Sequence, residues 1–510
     1  MSRLFYALCV SAIALSGCAE EPIASGSGAS FPPPSAPTAP RAVAPPPTTT
    51  TAGLSRSIRD FTACDGRTDD SKGVQAAFQA AAHNAFTLVV DCPVTLHVGD
   101  DIGRSIFVDS GTRVAFTGSG RLTVDNSGIP AFVIANSNDI HFLGWRILYT
   151  GQIPLANAAD GYHRDGQWVP QKTSTAEAFN DAVLTPWMAK NRNVVMTSGH
   201  DLWNGPTNSL AIFYCAGDDN GLEVRNMTVS IPDFGSPSRY VPMVFSFTTG
   251  FYSGTVTPKV GAPAIARPAV PHNIVFDQID FDGTLMGIQG TVQNATFSHI
   301  HSHHYADLQG DDGSDLGGQG KWFAPPHLFY INAGAGADAI QPEHIRISDV
   351  VDDGIRVGKA RDTLGNSGSG YALSLKIGGD DIVVDGYVSH RPDGFLDVLS
   401  ANGLTIRNAQ ATYDSSFLNN IYPGIRFPAV TPQSYKNVTL QNITLTDTAP
   451  RTTRSPISGS PLTGNSNIRF INVRANLNDW ISKTPLTSPV MAGTGNITPV
   501  SYFTNVPTNP

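Results

Sequence analysis

A short alternating phrase recurs along this chain: apolar, any, apolar, any, a small polar residue, apolar, any, apolar. Copies begin at Ile140, Leu222, Ile274, Ala295, Ile345, Ile382, Leu404, Val438 and Ile468. Each copy predicts two short strands that meet at a polar corner, and the alternation buries one face of each strand. The closest copies begin 21 to 22 residues apart, so each can bury its apolar face against the copies above and below. The repeat therefore predicts a stacked solenoid, a parallel β-helix with long loop insertions on some coils.

The composition supports an all-β solenoid. Charged residues make up only 15% of the chain, and Val, Ile, Thr and Phe dominate the patterned segments. A solenoid accommodates 510 residues in one domain because its core grows linearly with the number of repeats. The net charge of −9, without any basic run, argues against nucleic acid as a partner.

The N-terminus predicts export and a lipid anchor. Arg3 and the apolar run 4–15 form a signal sequence that is too short to span a bilayer. A small residue directly before Cys18 resembles the bacterial lipobox, in which that Cys is diacylated, and Ala19 in the next position favours the outer membrane. We therefore expect an outer-membrane lipoprotein, periplasmic or surface-facing, that contacts the membrane only through its N-terminal lipid.

Four segments follow from these signals. We predict a lipoprotein signal peptide at 1–17, a Pro/Ser/Thr-rich tether at 18–53, a parallel β-helix domain at 54–490 and a C-terminal tail at 491–510. In an oxidising compartment Cys64 and Cys92 are expected to form a disulfide, while Cys215 lies within an apolar strand.

The segment from Asp60 to Phe78 resembles the opening of a large superfamily of β-helix proteins. Its motif reads Asp60-Phe61, Asp65-Gly66 and Thr68-Asp69-Asp70. That superfamily includes pectate-lyase-like proteins, polygalacturonase-type hydrolases and phage tailspikes. The resemblance implies a right-handed, single-stranded parallel β-helix, on which related families hydrolyse, eliminate, epimerise or only bind. The resemblance to tailspikes is also compatible with a homotrimer.

The same segment predicts a helix that closes one end of the stack. Val74, Phe78 and Ala81 form one apolar helical face, which would cover the unpaired edge of the first coil. The acidic residues before the helix are expected to be turn and cap residues rather than catalytic ones; they are Asp65, Asp69 and Asp70. Paired Asp residues elsewhere match those of polygalacturonases only in part, so the catalytic residues of that family are not carried over.

Aligning the strands that precede each copy of the phrase predicts a column of polar residues on the outer strand face. Equivalent strands of successive coils stack at about 4.8 Å, so polar residues at equivalent positions become neighbours. The predicted column contains Tyr330 or Asn332, then Lys376, Asp397 and Arg426, with Asp393 beside it and Asp381 one coil away.

Two chemistries suit such a column. In hydrolysis, one carboxylic acid protonates the leaving oxygen while a second carboxylate activates water or attacks the sugar. Asp397 and Asp393 are the candidates for these roles, with Asp381 nearby, and Lys376 and Arg426 would grip a substrate carboxylate. In β-elimination, Lys376 would be the base, Arg426 the carboxylate clamp and Tyr330 the acid. We favour hydrolysis of an extracellular, acidic polysaccharide; elimination on uronates and binding of polysaccharide without catalysis are the alternatives.

A second polar cluster follows residue 298. His299, His301 and His303 are predicted to share one strand face, an arrangement that can ligate a metal, and Asp311–Asp315 resembles a fragment of a Ca²⁺ loop. We favour a polar loop that borders the substrate groove, with Trp322 as a sugar-stacking aromatic. His327, Tyr330, Asn332 and Arg426 complete the predicted substrate-binding set. We expect no metal or other cofactor; Ca²⁺ is the only one with any support.

Overall fold

The computed structural model describes residues 54–99, 101–126, 130–151, 153–154, 161–164, 167–170, 211–231, 239–240, 243–248, 250–251, 268–284, 286–305, 327–332, 340–353, 371–376, 379–390, 394–398, 401–413, 424–427, 435–447, 457–459 and 466–476. They belong to one compact unit, Ala52–Pro510. The predicted signal peptide, tether and tail lie outside the described residues, and so does Cys18.

The described residues contain one α-helix, α1 (Ser71–Asn84), and a long series of strands. The strands of the first half are β1 (Ser55–Ser57), β2 (Thr87–Val90), β3 (Pro93–Gly99), β4 (Ile106–Val108), β5 (Arg113–Phe116), β6 (Arg121–Asn126), β7 (Phe132–Ala135), β8 (Asn138–Leu143), β9 (Arg146–Tyr149), β10 (Ile153–Pro154), β11 (Gly161–Arg164), β12 (Gln167–Pro170), β13 (Ala211–Ala216), β14 (Asn220–Ser230), β15 (Arg239–Tyr240), β16 (Met243–Thr248) and β17 (Gly250–Phe251). Those of the second half are β18 (Pro268–Ala269), β19 (His272–Thr284), β20 (Met286–Gly290), β21 (Gln293–Tyr305), β22 (His327–Asn332), β23 (Glu343–Asp352), β24 (Tyr371–Lys376), β25 (Asp380–His390), β26 (Gly394–Val398), β27 (Ala401–Tyr413), β28 (Ile425–Phe427), β29 (Tyr435–Asp447), β30 (Ile457–Gly459) and β31 (Ser466–Asn476).

Two parallel sheets carry the coils. The long-strand sheet has 15 strands in the order β1-β2-β5-β8-β14-β19-β21-β23-β25-β27-β29-β31, with β3, β6 and β9 paired beside this path. The short-strand sheet has ten strands in the order β4-β7-β13-β16-β20-β22-β24-β26-β28-β30. From β13 onward the chain contributes in turn one strand to each sheet. This architecture is the right-handed parallel β-helix that the repeat and the opening segment predict.

Each long strand bends at the predicted polar corner. The corner residues have φ between 52° and 59° and are Asn226, Gln278, His299, Asp349, Asn408, Asn442 and Asn472, with glycine in the remaining coils. Asn, Asp and Gly tolerate this left-handed conformation best, which explains the small polar residue of the phrase. The corner amides also form a ladder between coils: Asn442 Nδ2 donates to Asn408 Oδ1 at 3.1 Å, and Asn472 Nδ2 donates to Asn442 Oδ1 at 3.0 Å.

The interior is filled by side chains that stack in register. Phe213 lies between Phe132 and Phe245, with ring centroids 4.8 and 4.7 Å away, and all three rings are fully buried. Phe276 from the long-strand sheet meets Phe245 across the core at 4.5 Å. The two sheets therefore share one continuous apolar core along the coils.

Helix α1 packs on the first coils as predicted. Val74, Ala77, Phe78 and Ala81 are buried beneath it. The acidic residues before the helix bind backbone amides, which confirms their turn and cap roles. Asp65 accepts from the amides of Arg67 and Thr68, both at 2.8 Å, Asp69 accepts from that of Ser71 at 3.0 Å, and Asp70 accepts from that of Ala63 at 2.8 Å.

Cys64 and Cys92 form a disulfide with their Cα atoms 5.5 Å apart, joining the turn before α1 to the start of β3. Cys215 is a buried free thiol in β13, and burial raises its pKa.

Of the helices among the described residues, none is long and apolar enough to cross a membrane.

Candidate functional sites

A row of polar side chains runs across the short-strand sheet on the face opposite the core. The row, called here the polar row, consists of Tyr214, Ser246, Gln289, Tyr330, Ser374, Asp397 and Arg426, each aligned with the next on the neighbouring strand. Their neighbours in each strand, such as Phe213, point into the core. Period-two alternation therefore produces the predicted column, and the parallel register keeps it straight over seven coils.

Lys376 does not belong to this row, and its predicted place beside Asp397 is wrong. Ser374 is the residue in register with Asp397, while Lys376 aligns with Asn332, two residues further along the strands. The displacement of Lys376 follows from the distance in sequence between each short strand and the phrase after it. Ile382 lies eight positions after Ser374, whereas Leu404 lies seven positions after Asp397. Tyr330, rather than Asn332, is the member of the row from β22.

Asp397 and Arg426 form a two-point ion pair between adjacent coils. Arg426 donates from Nε to Asp397 Oδ1 at 2.8 Å and from Nη2 to Oδ2 at 2.7 Å. The Asp397 side chain is 1% exposed and that of Arg426 is 31% exposed. The carboxylate is therefore held inside the fold with both oxygens bound, and the guanidinium is partly exposed.

Aromatic and amide groups adjoin this pair along the sheet. Burial raises the pKa of the Tyr330 phenol, so this group keeps its proton at neutral pH. The His327 ring, which is buried, lies 5.1 Å from the Tyr330 ring between centroids. Ser374 Oγ and Asn332 Oδ1 are buried and have no hydrogen-bond partner in the part of the chain that the structure describes.

Asp381, predicted one coil away from the column, lies at the start of β25 in the long-strand sheet and not on the short-strand sheet that carries Asp397. It occupies a corner of β25 with φ 53°, accepts from Arg346 Nη2 at 2.7 Å and lies 2.9 Å from His344 Nδ1. Burial raises the pKa of this carboxyl, but the hydrogen bonds from Arg346 and His344 outweigh it and leave the pKa below its usual value. Its contacts are those of a corner ion pair.

Several predicted site residues cannot be placed. Asp393 and Trp322 lie outside the described residues, as do Asp307, Asp311, Asp312 and Asp315 of the predicted polar loop. For Lys376 the structure describes the backbone register and not the side chain.

A second site lies on the exposed face of the long-strand sheet, beyond the corner. Asp280, His301 and His303 bring a carboxylate oxygen and two imidazole nitrogens within 4.8 Å of one another. Asp353 lies one coil further along. Its Oδ2 lies 2.8 Å from His301 Nε2 and 3.8 Å from His303 Nδ1. The two imidazole rings are 3.8 Å apart between centroids.

His299 is separate from this His/Asp cluster (Asp280, His301, His303 and Asp353), so the predicted common face of three histidines is wrong. The corner at His299, with φ 52°, breaks the alternation between it and His301. Its Nδ1 lies 2.7 Å from Asp277 Oδ1 instead, and that hydrogen bond raises the pKa of His299.

Sequence reasoning overlooked Asp280 and Asp353. Both residues could have been found by aligning the copies of the phrase at Ile279, Ile300 and Val350. That alignment places Asp280 beside His301 and Asp353 beside His303.

Comparison with known proteins gives similarity in structure alone. No protein-family model matches the chain, and no curated protein matches it. The surface adhesin PfbA of Streptococcus pneumoniae is 12% identical, with 83% of this chain and 90% of that chain covered and a TM-score of 0.42. The exopolygalacturonase of Family 28 from Yersinia enterocolitica is 11% identical, with 89% and 79% covered and a TM-score of 0.36. The A-module of the Azotobacter vinelandii mannuronan C-5 epimerase AlgE6 is 13% identical, with 82% and 95% covered and a TM-score of 0.34. Similarity at this level assigns no activity to this chain. The chain is a right-handed parallel β-helix protein, as its two parallel sheets indicate.

Proposed function

We propose that this protein binds an acidic polysaccharide along the short-strand sheet and hydrolyses its glycosidic bonds. The observation that supports the proposal is the polar row, which includes the buried Asp397 and the partly exposed Arg426. Neighbouring coils stand about 4.8 Å apart. Tyr330 and Arg426 are the partly exposed members of the row and are the side chains that an extended polymer would reach, whereas the other five members are buried.

Arg426 is the proposed clamp for a substrate carboxylate. Its guanidinium is held in one orientation by Asp397, which reduces the entropy lost when it grips a ligand. Asp397 is thus a positioning residue in the free protein. For hydrolysis, Asp397 would be the base that takes a proton from the attacking water, while Asp393, which precedes the same strand in sequence, would donate a proton to the leaving oxygen.

β-Elimination on a uronate is the second candidate. It is supported by Tyr330, a phenol that carries the proton needed by the leaving oxygen, and by Arg426 in the same row. Lys376 would be the base.

The test uses purified protein with uronate-containing and neutral polysaccharides, following reducing ends and the ultraviolet absorbance of unsaturated uronates together. Reducing ends without absorbance support hydrolysis, whereas both signals together would replace it with elimination. Retention of the polymer on the protein without either signal would leave polysaccharide binding and overturn cleavage.

Two variants connect the activity to the site. Arg426→Ala is expected to weaken binding of the acidic polymer and leave any binding of the neutral one unchanged. Arg407→Ala is the matched control, because Arg407 makes a similar pair with Asp385 at 2.8 Å on the long-strand sheet. Equal losses in the two variants would refute the assignment to the short-strand sheet.

We also propose that the chain is an outer-membrane lipoprotein tethered through Cys18 and acting at the cell envelope. Mass spectrometry of the mature N-terminus tests this, since a diacylated Cys18 is expected and an unmodified signal sequence or an unacylated N-terminus would refute it. Light scattering of the purified protein separates a monomer from a tailspike-like homotrimer.

A further inference from the structure

We propose that Asp280, His301 and His303 form a binding site for one divalent transition-metal ion of the zinc class. The site lies on the exposed face of the long-strand sheet, whereas the polar row lies on the short-strand sheet. The proposal is therefore independent of the proposed polysaccharide activity.

The three ligand atoms already face a common point. Asp280 Oδ1 lies 4.0 Å from His301 Nδ1 and 3.7 Å from His303 Nε2. Ligand atoms of a tetrahedral zinc site with bonds of 2.0–2.1 Å stand about 3.3 Å from one another. The two distances from Asp280 exceed this value by about 0.7 and 0.4 Å, a difference that small rotations of these half-exposed side chains can remove.

Asp353 is placed to prepare His301 as a ligand and lies near the outer nitrogen of His303. Its Oδ2 lies 2.8 Å from His301 Nε2, and in the neutral tautomer that donates from Nε2 the lone pair of Nδ1 lies on the side of Asp280. The His303 ring is turned the other way. Its Nδ1 lies 3.8 Å from Asp353 Oδ2, and its Nε2 lies toward Asp280. A carboxylate that accepts from the outer nitrogen of a metal-binding histidine fixes its tautomer and raises its basicity.

The backbone holds this arrangement rigidly. Asp280 and His301 are paired across β19 and β21, and Ser302 is paired with Asp352 across β21 and β23, so the site spans three hydrogen-bonded coils. His301 and His303 are two residues apart in one strand and therefore project from the same face. Ligands on a sheet are positioned more accurately than ligands on a loop.

The chemistry of the ligands selects the class of metal. Two imidazoles with one carboxylate suit Zn²⁺ and its neighbours in the transition series, whereas Ca²⁺ and Mg²⁺ prefer sites made of oxygen ligands alone. All four side chains of the cluster are 36–49% exposed, so a fourth coordination position is open to water or to a ligand. The inferred metal thus differs from the Ca²⁺ suggested by the sequence of the following loop.

The test is calorimetric titration of Zn²⁺ into the purified chain, prepared without a polyhistidine tag. One ion per chain is expected to bind, with Ca²⁺ unable to compete. Asp280→Ala, His301→Ala and His303→Ala should each weaken binding by at least about tenfold, and Asp353→Asn by about 10–100-fold. Co²⁺ in place of Zn²⁺ should give the visible absorption of a tetrahedral site, which is lost in the His301→Ala variant.

His299→Ala is the matched control, because it removes an exposed imidazole only two residues away that is engaged with Asp277. It should leave the affinity for Zn²⁺ unchanged. The proposal is overturned if Zn²⁺ does not bind saturably, or if the His299 and His301 variants lose affinity equally. Thermal unfolding of each variant verifies that it is folded, and Asp280→Asn replaces Asp280→Ala if the latter is not. The titration contains no polysaccharide, so its outcome does not depend on that of the cleavage assay.

Discussion

Arg426→Ala is expected to destabilise the coils around it far more than an Arg→Ala substitution in a solvent-exposed ion pair would. The substitution removes the guanidinium that binds both oxygens of a carboxylate only 1% exposed. Removing one partner of a buried ion pair costs about 3–5 kcal/mol, because the remaining charge loses its compensation. We expect a value near the lower end, about 3 kcal/mol, since Arg426 itself is 31% exposed and the pair is therefore not fully desolvated.

Two comparisons isolate the physical cause. Asp397→Ala should cost less, about 2 kcal/mol, because a guanidinium that is 31% exposed can be hydrated when its partner is removed. Arg407→Ala should cost at most about 1 kcal/mol, since both members of the Arg407–Asp385 pair are at least one-third exposed. The double variant of Arg426 and Asp397 should cost less than the sum of the single changes, because the two side chains act on each other.

Hydrogen exchange is the appropriate assay, because the coils of a solenoid can open without the whole chain unfolding. The opening free energy of amides in β26 and β28 is compared between each variant and the parent protein. The reasoning is refuted if Arg426→Ala and Arg407→Ala reduce protection of their own coils equally. It is also refuted if Asp397→Ala costs more than Arg426→Ala.

Three further outcomes follow from the fold. Phe213→Ala should lower the free energy of unfolding by about 3–5 kcal/mol, because it opens a cavity between two stacked rings, whereas Phe213→Leu should cost less than about 2 kcal/mol; urea denaturation measures both. Asn442→Ala should cost about 1–2 kcal/mol through its left-handed backbone and its two ladder hydrogen bonds, and Asn442→Gly should cost less; a larger loss for Gly would contradict the backbone argument. The hydrogen bond with Asp277 holds the pKa of His299 above its ordinary value of 6.5, so the stabilisation from this pair is complete below about pH 6.5 and is lost as the pH rises through the raised pKa. NMR titration should show the pKa of His299 falling in Asp277→Asn, and an unchanged titration would contradict the pairing.

Part of the candidate site follows from alternation and repeat length. Asp397 and Arg426 are 29 residues apart, yet the phrase that follows each strand predicts them as neighbours, and they are bonded. The same reasoning fails for Lys376, because the turn between a short strand and its phrase varies in length from coil to coil. Ser374 and Lys376 lie two residues apart on the same face, so the face was predicted but the member of that face beside Asp397 was not.

Exposure of the site depends on the whole fold. Alternation places Asp397 on the face away from the core. A strand considered alone therefore predicts that the Asp397 side chain faces solvent. In the folded chain that face is also buried at Ser374 and Asp397, so the carboxylate is bound inside the protein rather than offered to solvent. Burial of an outer face depends on what packs over it, and no local pattern encodes that.

The sequence by itself determined the parallel β-helix, its polar corners and its capping helix, because each depends on a local pattern: period two, a residue that tolerates positive φ, or an apolar helical face. Tertiary structure decided how closely the charged groups approach one another and how exposed they are. Asp280, His301, His303 and Asp353 come together because three coils stack in one register, and Asp381 is separated from Asp397 because a corner turns it onto the other sheet. Contacts between coils depend on the length of every intervening turn and on side-chain orientation, which are settled only when the coils are stacked.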